Sequence, residues 1–118
     1  MRILSYEYLQ WQGWQLRALV GELDPHNLHR LLRALDKLES LIDDLLEVLI
    51  HSGNKGTASY ESAYRVEEKR IAVRELLEGL TEDDRSLELS IIHLQWAVLT
   101  LGRVLQAKLA VAFPFSMN

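Results

Sequence analysis

The sequence predicts an all-α protein, an antiparallel bundle of four helices forming one domain over residues 1–118. Three observations predict it. Leu28, Leu35, Ile42 and Leu49 recur every seven residues, and Leu31, Leu38 and Leu45 fill the alternate seam. Proline occurs only at Pro25 and Pro114, so most of the chain is free to be helical. Nowhere do apolar and polar residues alternate convincingly with the period of a strand. At 118 residues, 48% hydrophobic and 25% charged, the chain can bury one core but not two.

The first helix is expected over residues 5–22. It carries Tyr6, Tyr8, Trp11 and Trp14, four aromatics within nine residues. Aromatic rings combine large apolar area with a polar tip, which suits contact sites. Tyr8, Trp11 and Trp14 are therefore expected partner-binding residues; the alternative is that they staple the open end of the bundle.

Asp24 followed by Pro25 reads as an N-cap and first helical position, so the second helix is expected over 25–51. Its leucine ladder is widened by Ala34, Leu41 and Val48 into one broad apolar face, which cannot be stable in water without other helices. Along its polar side His26, His29, Arg30, Arg33 and Lys37 come first, then Glu39, Asp43, Asp44 and Glu47. That order opposes the helix dipole at a small energetic cost. A self-complementary or oppositely charged partner would match it, making Arg30, Arg33, Asp43 and Glu47 expected contact residues. Residues 52–56, Ser-Gly-Asn-Lys-Gly, read as a C-cap and turn.

The third helix, expected over 59–78, begins at a Thr57 or Ser59 cap and ends at Gly79. Arg65, Lys69, Arg70 and Arg74 are offset by five glutamates, with Glu61–Arg65 and Arg74–Glu78 at the spacing of helical ion pairs. The fourth helix is expected over 82–112, from a Thr81 cap with acidic residues behind it to a stop before Pro114.

This last helix is apolar on two sides. Leu87, Ile91, Leu94, Val98, Leu101, Leu105 and Ala112 form one seam; Leu89, Ile92, Trp96, Leu99, Ala107 and Ala110 lie opposite. A helix apolar nearly all round is buried nearly all round. Either the first helix folds across the second side, or the bundle is completed by dimerisation. In the second case Ile92, Trp96, Leu99 and Arg103 are the self-association residues, with Gly102, Ala107 and Ala110 permitting close approach.

The chain has no cysteine, which removes disulfides and thiolate chemistry and suits a reducing, cytoplasmic compartment. The formal charge of −4 argues against nucleic acid as the partner. The N-terminus lacks the features of a signal peptide. The most apolar stretch, residues 91–113, is interrupted by Arg103 and Lys108 and reads as a buried helix, not a membrane span. Glu39, Asp43, Glu47 and His51 sit four apart, but the paired Glu-x-x-His of metal bundles is missing, so no metal or cofactor is expected. No nucleophile–His–acid order and no phosphate-binding glycine loop is present; Gly53-Asn54-Lys55-Gly56 is a helix–helix turn.

His93 is expected to be a buried core histidine. The functional expectation is a non-enzymatic, protein-binding adaptor or regulator, chaperone-, immunity- or inhibitor-like, acting as a homodimer. The alternative is a bundle holding a small ligand, haem or a metal near His93.

Overall fold

A computed structural model describes residues 5–51, 58–79 and 85–112. It consists of α1 (Tyr6–Glu22), α2 (Leu28–His51), α3 (Ala58–Glu78) and α4 (Arg85–Ala112). Among the described residues α1 packs beside α2 and α4, α3 packs beside the same two, and the backbones of the diagonal pairs stay apart. This is a square antiparallel four-helix bundle, 50 × 27 × 21 Å. None of the described helices is long and apolar enough to cross a membrane. The expectations for residues 52–57, Thr81, 82–84 and Pro114 lie outside the described residues.

α1 starts where Ser5, in extended conformation, accepts a 3.2 Å hydrogen bond on Oγ from the Tyr8 N–H. α2 starts three residues later than expected, and its cap is Asn27, not Asp24. Asp24 instead organises the preceding turn: its Oδ1 accepts from the His26 N–H at 2.9 Å and its carbonyl from the Asn27 N–H at 3.3 Å. Pro25, with its fixed φ, occupies the second position of that turn, a role as natural for it as the first turn of a helix. Asn27 then accepts the Arg30 N–H at 3.1 Å and the Leu31 N–H through its carbonyl. Because α2 begins at Leu28, that residue stays largely exposed, and the buried ladder starts at Leu31. Ser59 is likewise not a cap: it is buried inside the first turn of α3.

The core is a column of aliphatic side chains. From α2 it takes Leu31, Leu35, Leu38, Ile42, Leu45 and Leu49; from α4, Leu87, Ile91, Leu94, Val98, Leu101 and Leu105. α1 adds Leu9, Leu16 and Leu19. α3 is thinner, with Ala63, Val66 and Val73 buried and Leu76 and Leu77 half-buried against the rest.

Polar contacts fix the register. Arg74 Nη2 reaches Asp36 at 2.7 Å and Arg70 Nη1 reaches Glu39 at 3.5 Å, so α3 descends as α2 ascends. Arg74 thus bridges helices instead of pairing with Glu78, and among the described residues no ion pair joins Glu61 to Arg65. The long reach of arginine makes the cross-helix partner available, and a 2.7 Å contact to Asp36 uses it. On the other side, Gln95 Nε2 donates to the carbonyls of Val20 at 3.2 Å and Leu23 at 3.0 Å. Those carbonyls lie at the C-terminal end of α1, so one amide ties that end to the middle of α4.

Candidate functional site

The two apolar sides of α4 have different fates. Leu87, Ile91, Leu94, Val98, Leu101 and Leu105 are buried, whereas Leu89, Ile92 and Trp96 are exposed, Trp96 to 61%. Leu94 and Trp96 are separated by about 200° around a helix at 100° per residue, so one cannot turn inward without turning the other out. Leu89, Ile92, Trp96, Leu99 and Arg103 are spaced three, four, three and four, the spacing of a coiled-coil seam. α1 flanks only one edge of this side, where Leu99 and Gly102 line a groove between the two helices. The first-helix cover is therefore real but partial. Gly102 belongs to that α1-facing edge and not to the exposed stripe; Ala107 is exposed.

On α1 the expected contact aromatics divide. Tyr8 packs against the core, and its hydroxyl accepts a 3.0 Å hydrogen bond from Gln12 Nε2. Trp11 and Trp14 point outward, Trp14 to 60%. All three tryptophans of the chain, Trp11, Trp14 and Trp96, thus stand on the outer surfaces of α1 and α4. Gln12 is completely buried, and its Oε1 has no hydrogen-bond partner.

Between the two helices runs a half-open groove of about 570 Å3. Leu9, Leu16, Val98 and Leu105 lie beneath it, and Trp14 and Leu99 line its edges. Gly13 and Gly102 also line it, one from each helix, and a Cβ built on either would meet nothing within 4 Å. Each glycine costs its helix roughly 1 kcal/mol relative to alanine, without serving close helix contact. What their missing side chains provide is space. Arg17 and Arg103 are the charged residues of the lining.

The charged side of α2 lies elsewhere. α2 is diagonal to α4, so Arg30, Arg33, Asp43 and Glu47 do not share a surface with the Trp96 stripe. Arg33 Nη2 stands 3.0 Å from His29 Nε2, and Lys37 is paired with Glu22 of α1 at 3.7 Å. The acidic half is engaged by α3. Arg70, one of the basic residues that the glutamates of α3 offset, is buried, and holds Glu67 through two bonds of 2.6 and 3.1 Å with Glu39 at 3.5 Å. Asp43 stands nearby, and its carboxyl is raised above the ordinary value by desolvation and then by Glu67 and Glu39. At Lys37 and Glu39 the charge order of α2 thus has internal counterparts, in Glu22 of α1 and Arg70 of α3. The signal for Arg70 was available: Ala63, Val66, Arg70 and Val73 repeat at three, four and three, placing the arginine on the apolar seam of α3.

His93 is exposed, contrary to expectation, because it falls between the buried seam and the outer stripe on the side of α4 away from α1. A pocket built around a buried histidine therefore loses its ligand. Among the described residues no three His, Asp or Glu side chains gather as for a metal ion. Comparison with protein-family models, curated proteins and solved structures yields no match, so the surface is read from its own chemistry.

Proposed function

We propose that the chain is a non-enzymatic adaptor or regulator that acts by binding proteins, in the manner of a small chaperone, immunity or inhibitor protein. In this reading it works as a two-fold homodimer joined through α4, in the cytoplasmic setting that a cysteine-free chain suits. The exposed stripe Leu89, Ile92 and Trp96, continued by half-buried Leu99, carries the reading. Contiguous apolar surface at regular spacing is a feature of association sites, whereas scattered exposed residues are not. Indole rings are enriched at the energetic centres of interfaces.

The stripe is also self-complementary. Two α4 helices packed antiparallel about Trp96 would set Arg103 of each copy beside Leu89 and Glu88 of the other, apolar centre on apolar centre with charges at the rim. Trp11 and Trp14, on the neighbouring helix, then remain the surface for a partner, with Arg30, Arg33, Asp43 and Glu47 on a separate side of the bundle.

The test is the solution mass by light scattering over a range of concentrations. The unmodified chain is expected at twice its 13.6 kDa mass, and Trp96→Glu at the single-chain mass with unchanged helix content. A monomer at every concentration, or a folded Trp96→Glu dimer, contradicts the proposal.

A further inference from the structure

The groove between α1 and α4 has depth and a polarity that the flat outer stripe lacks. We infer that it binds a single-chain amphiphile with an anionic head, a free medium-chain carboxylate, with the carboxylate at Arg17 and Arg103 and the tail running towards Leu109.

Size permits this. The groove is about 570 Å3, inside the roughly 300–1,000 Å3 range of small-molecule sites. Along α4 its lining runs from Val98 to Leu109, a span of about 16 Å at 1.5 Å per residue, the length class of a medium-chain acyl group. Shape favours a hydrocarbon chain over a peptide helix. The hollow is widened where side chains are absent, at Gly13 and Gly102, and an added Cβ would find open space on both walls. Such a slot admits an extended chain, whereas a helix with its side chains is about 10 Å across.

Charge sets the head and its place. Arg17 and Arg103 line the groove, no acidic residue does, and neither arginine has an ion-pair partner among the described residues. Two unpaired guanidinium groups beside an apolar slot, in a chain of net charge −4, are suited to hold a carboxylate through charge-assisted hydrogen bonds. The antiparallel register, fixed where Gln95 binds the Val20 and Leu23 carbonyls, brings Arg17 to the Val98–Leu99 end. Arg103 follows one turn further along α4. The opposite end is formed by Leu9, Leu105 and Leu109, with Tyr6, Gln10 and Gln106 at its margin. Cationic groups therefore stand at one end and at the middle of the slot, and the floor of its other end is aliphatic. This inference does not rest on the dimer, in which Arg103 stands at the rim beside Glu88 of the other copy; Arg17 is the head contact that the dimer leaves untouched.

The test is calorimetric titration of the full chain with dodecanoate below its micelle concentration, with emission from Trp14 as a second signal. Expected is one saturable site per chain, with dodecyltrimethylammonium and acetate binding at least tenfold more weakly. Arg17→Gln with Arg103→Gln is expected to weaken dodecanoate at least tenfold and leave dodecanol unchanged. Gly102→Leu, which obstructs the middle of the slot, is expected to weaken binding at least tenfold while helix content and melting are kept; Gly13→Leu obstructs it from the other wall and serves the same purpose. No saturable binding, equal binding of the cationic amphiphile, or full binding by a folded Gly102→Leu or Gly13→Leu chain overturns the inference. So does an acidic amphipathic peptide that binds where dodecanoate does not. Light scattering on the same samples separates loss of the groove from loss of the dimer.

Discussion

Replacing Arg70 with methionine removes a guanidinium from the α2/α3 seam and keeps an unbranched apolar stem. The Arg70 side chain is only 7% exposed, Glu67 is 20% exposed and Glu39 is 47% exposed. Breaking a fully buried ion pair costs about 3–5 kcal/mol, because one charge is left without its partner. Here Glu39 is half in water and recovers part of its solvation, so most of the loss falls on Glu67. The expected cost is about 2 kcal/mol, within the range for a part-buried acceptor that loses its donors. For a domain of this size that corresponds to a fall in melting temperature of roughly 8 °C. The assay is urea unfolding followed by circular dichroism, with an unchanged slope. Adding Glu67→Gln should recover about half of the loss, since the uncompensated charge is then gone. An Arg70→Met chain as stable as the parent, with Glu67→Gln making no difference, would refute the assignment of this cluster to the fold.

Further perturbations test other parts of the account. Asp43 has a raised carboxyl in the folded state, so folding binds a proton that the unfolded chain has released, and stability falls as pH rises through the window above 3.8. Asp43→Asn should therefore stabilise the protein at pH 7, with the gain vanishing once the pH is below 3.8; a gain that persists at pH 3 argues against the electrostatic cause. Gln12→Leu removes an orphaned buried acceptor and should leave stability unchanged or raise it by about 1 kcal/mol in urea unfolding; a clear loss would mean that the amide is satisfied. Gly102→Ala should raise stability by about 0.5–1 kcal/mol through helix propensity, because its Cβ meets nothing; destabilisation would show that the two helices close on that glycine.

The parts of the fold that were legible in the sequence are those governed by helical periodicity. The α2 ladder from Leu31 onward and the inner α4 seam from Leu87 to Leu105 are buried as their spacing requires, since a residue's angle around a helix depends only on its position in the chain. Choices between equivalent local partners were less legible. Asp24-Pro25 is as good a turn as a helix start, and only Asn27, three residues later, resolves which one forms. Arg70 was obscured by its charge, although its spacing placed it with Ala63, Val66 and Val73. His93 has an apolar neighbourhood in sequence but not in space; its angle between the two stripes leaves it in water. For the candidate surface, the Trp96 stripe was visible as a second apolar face. The groove was not, because it depends on which edge of α4 meets α1, and that follows from the Gln95 contacts and not from periodicity.

All three tryptophans stand on the outer faces of α1 and α4, so their emission reports on that surface alone. The most direct measurement is the tryptophan emission maximum of the unmodified chain as concentration is raised. If α4 is the association surface, indole emission shifts to the blue as Trp96 leaves water, over the concentration range in which the mass doubles, and Trp96→Glu abolishes the shift. Emission that stays at the position of water-exposed indole while the mass doubles would show that the chain associates through another face.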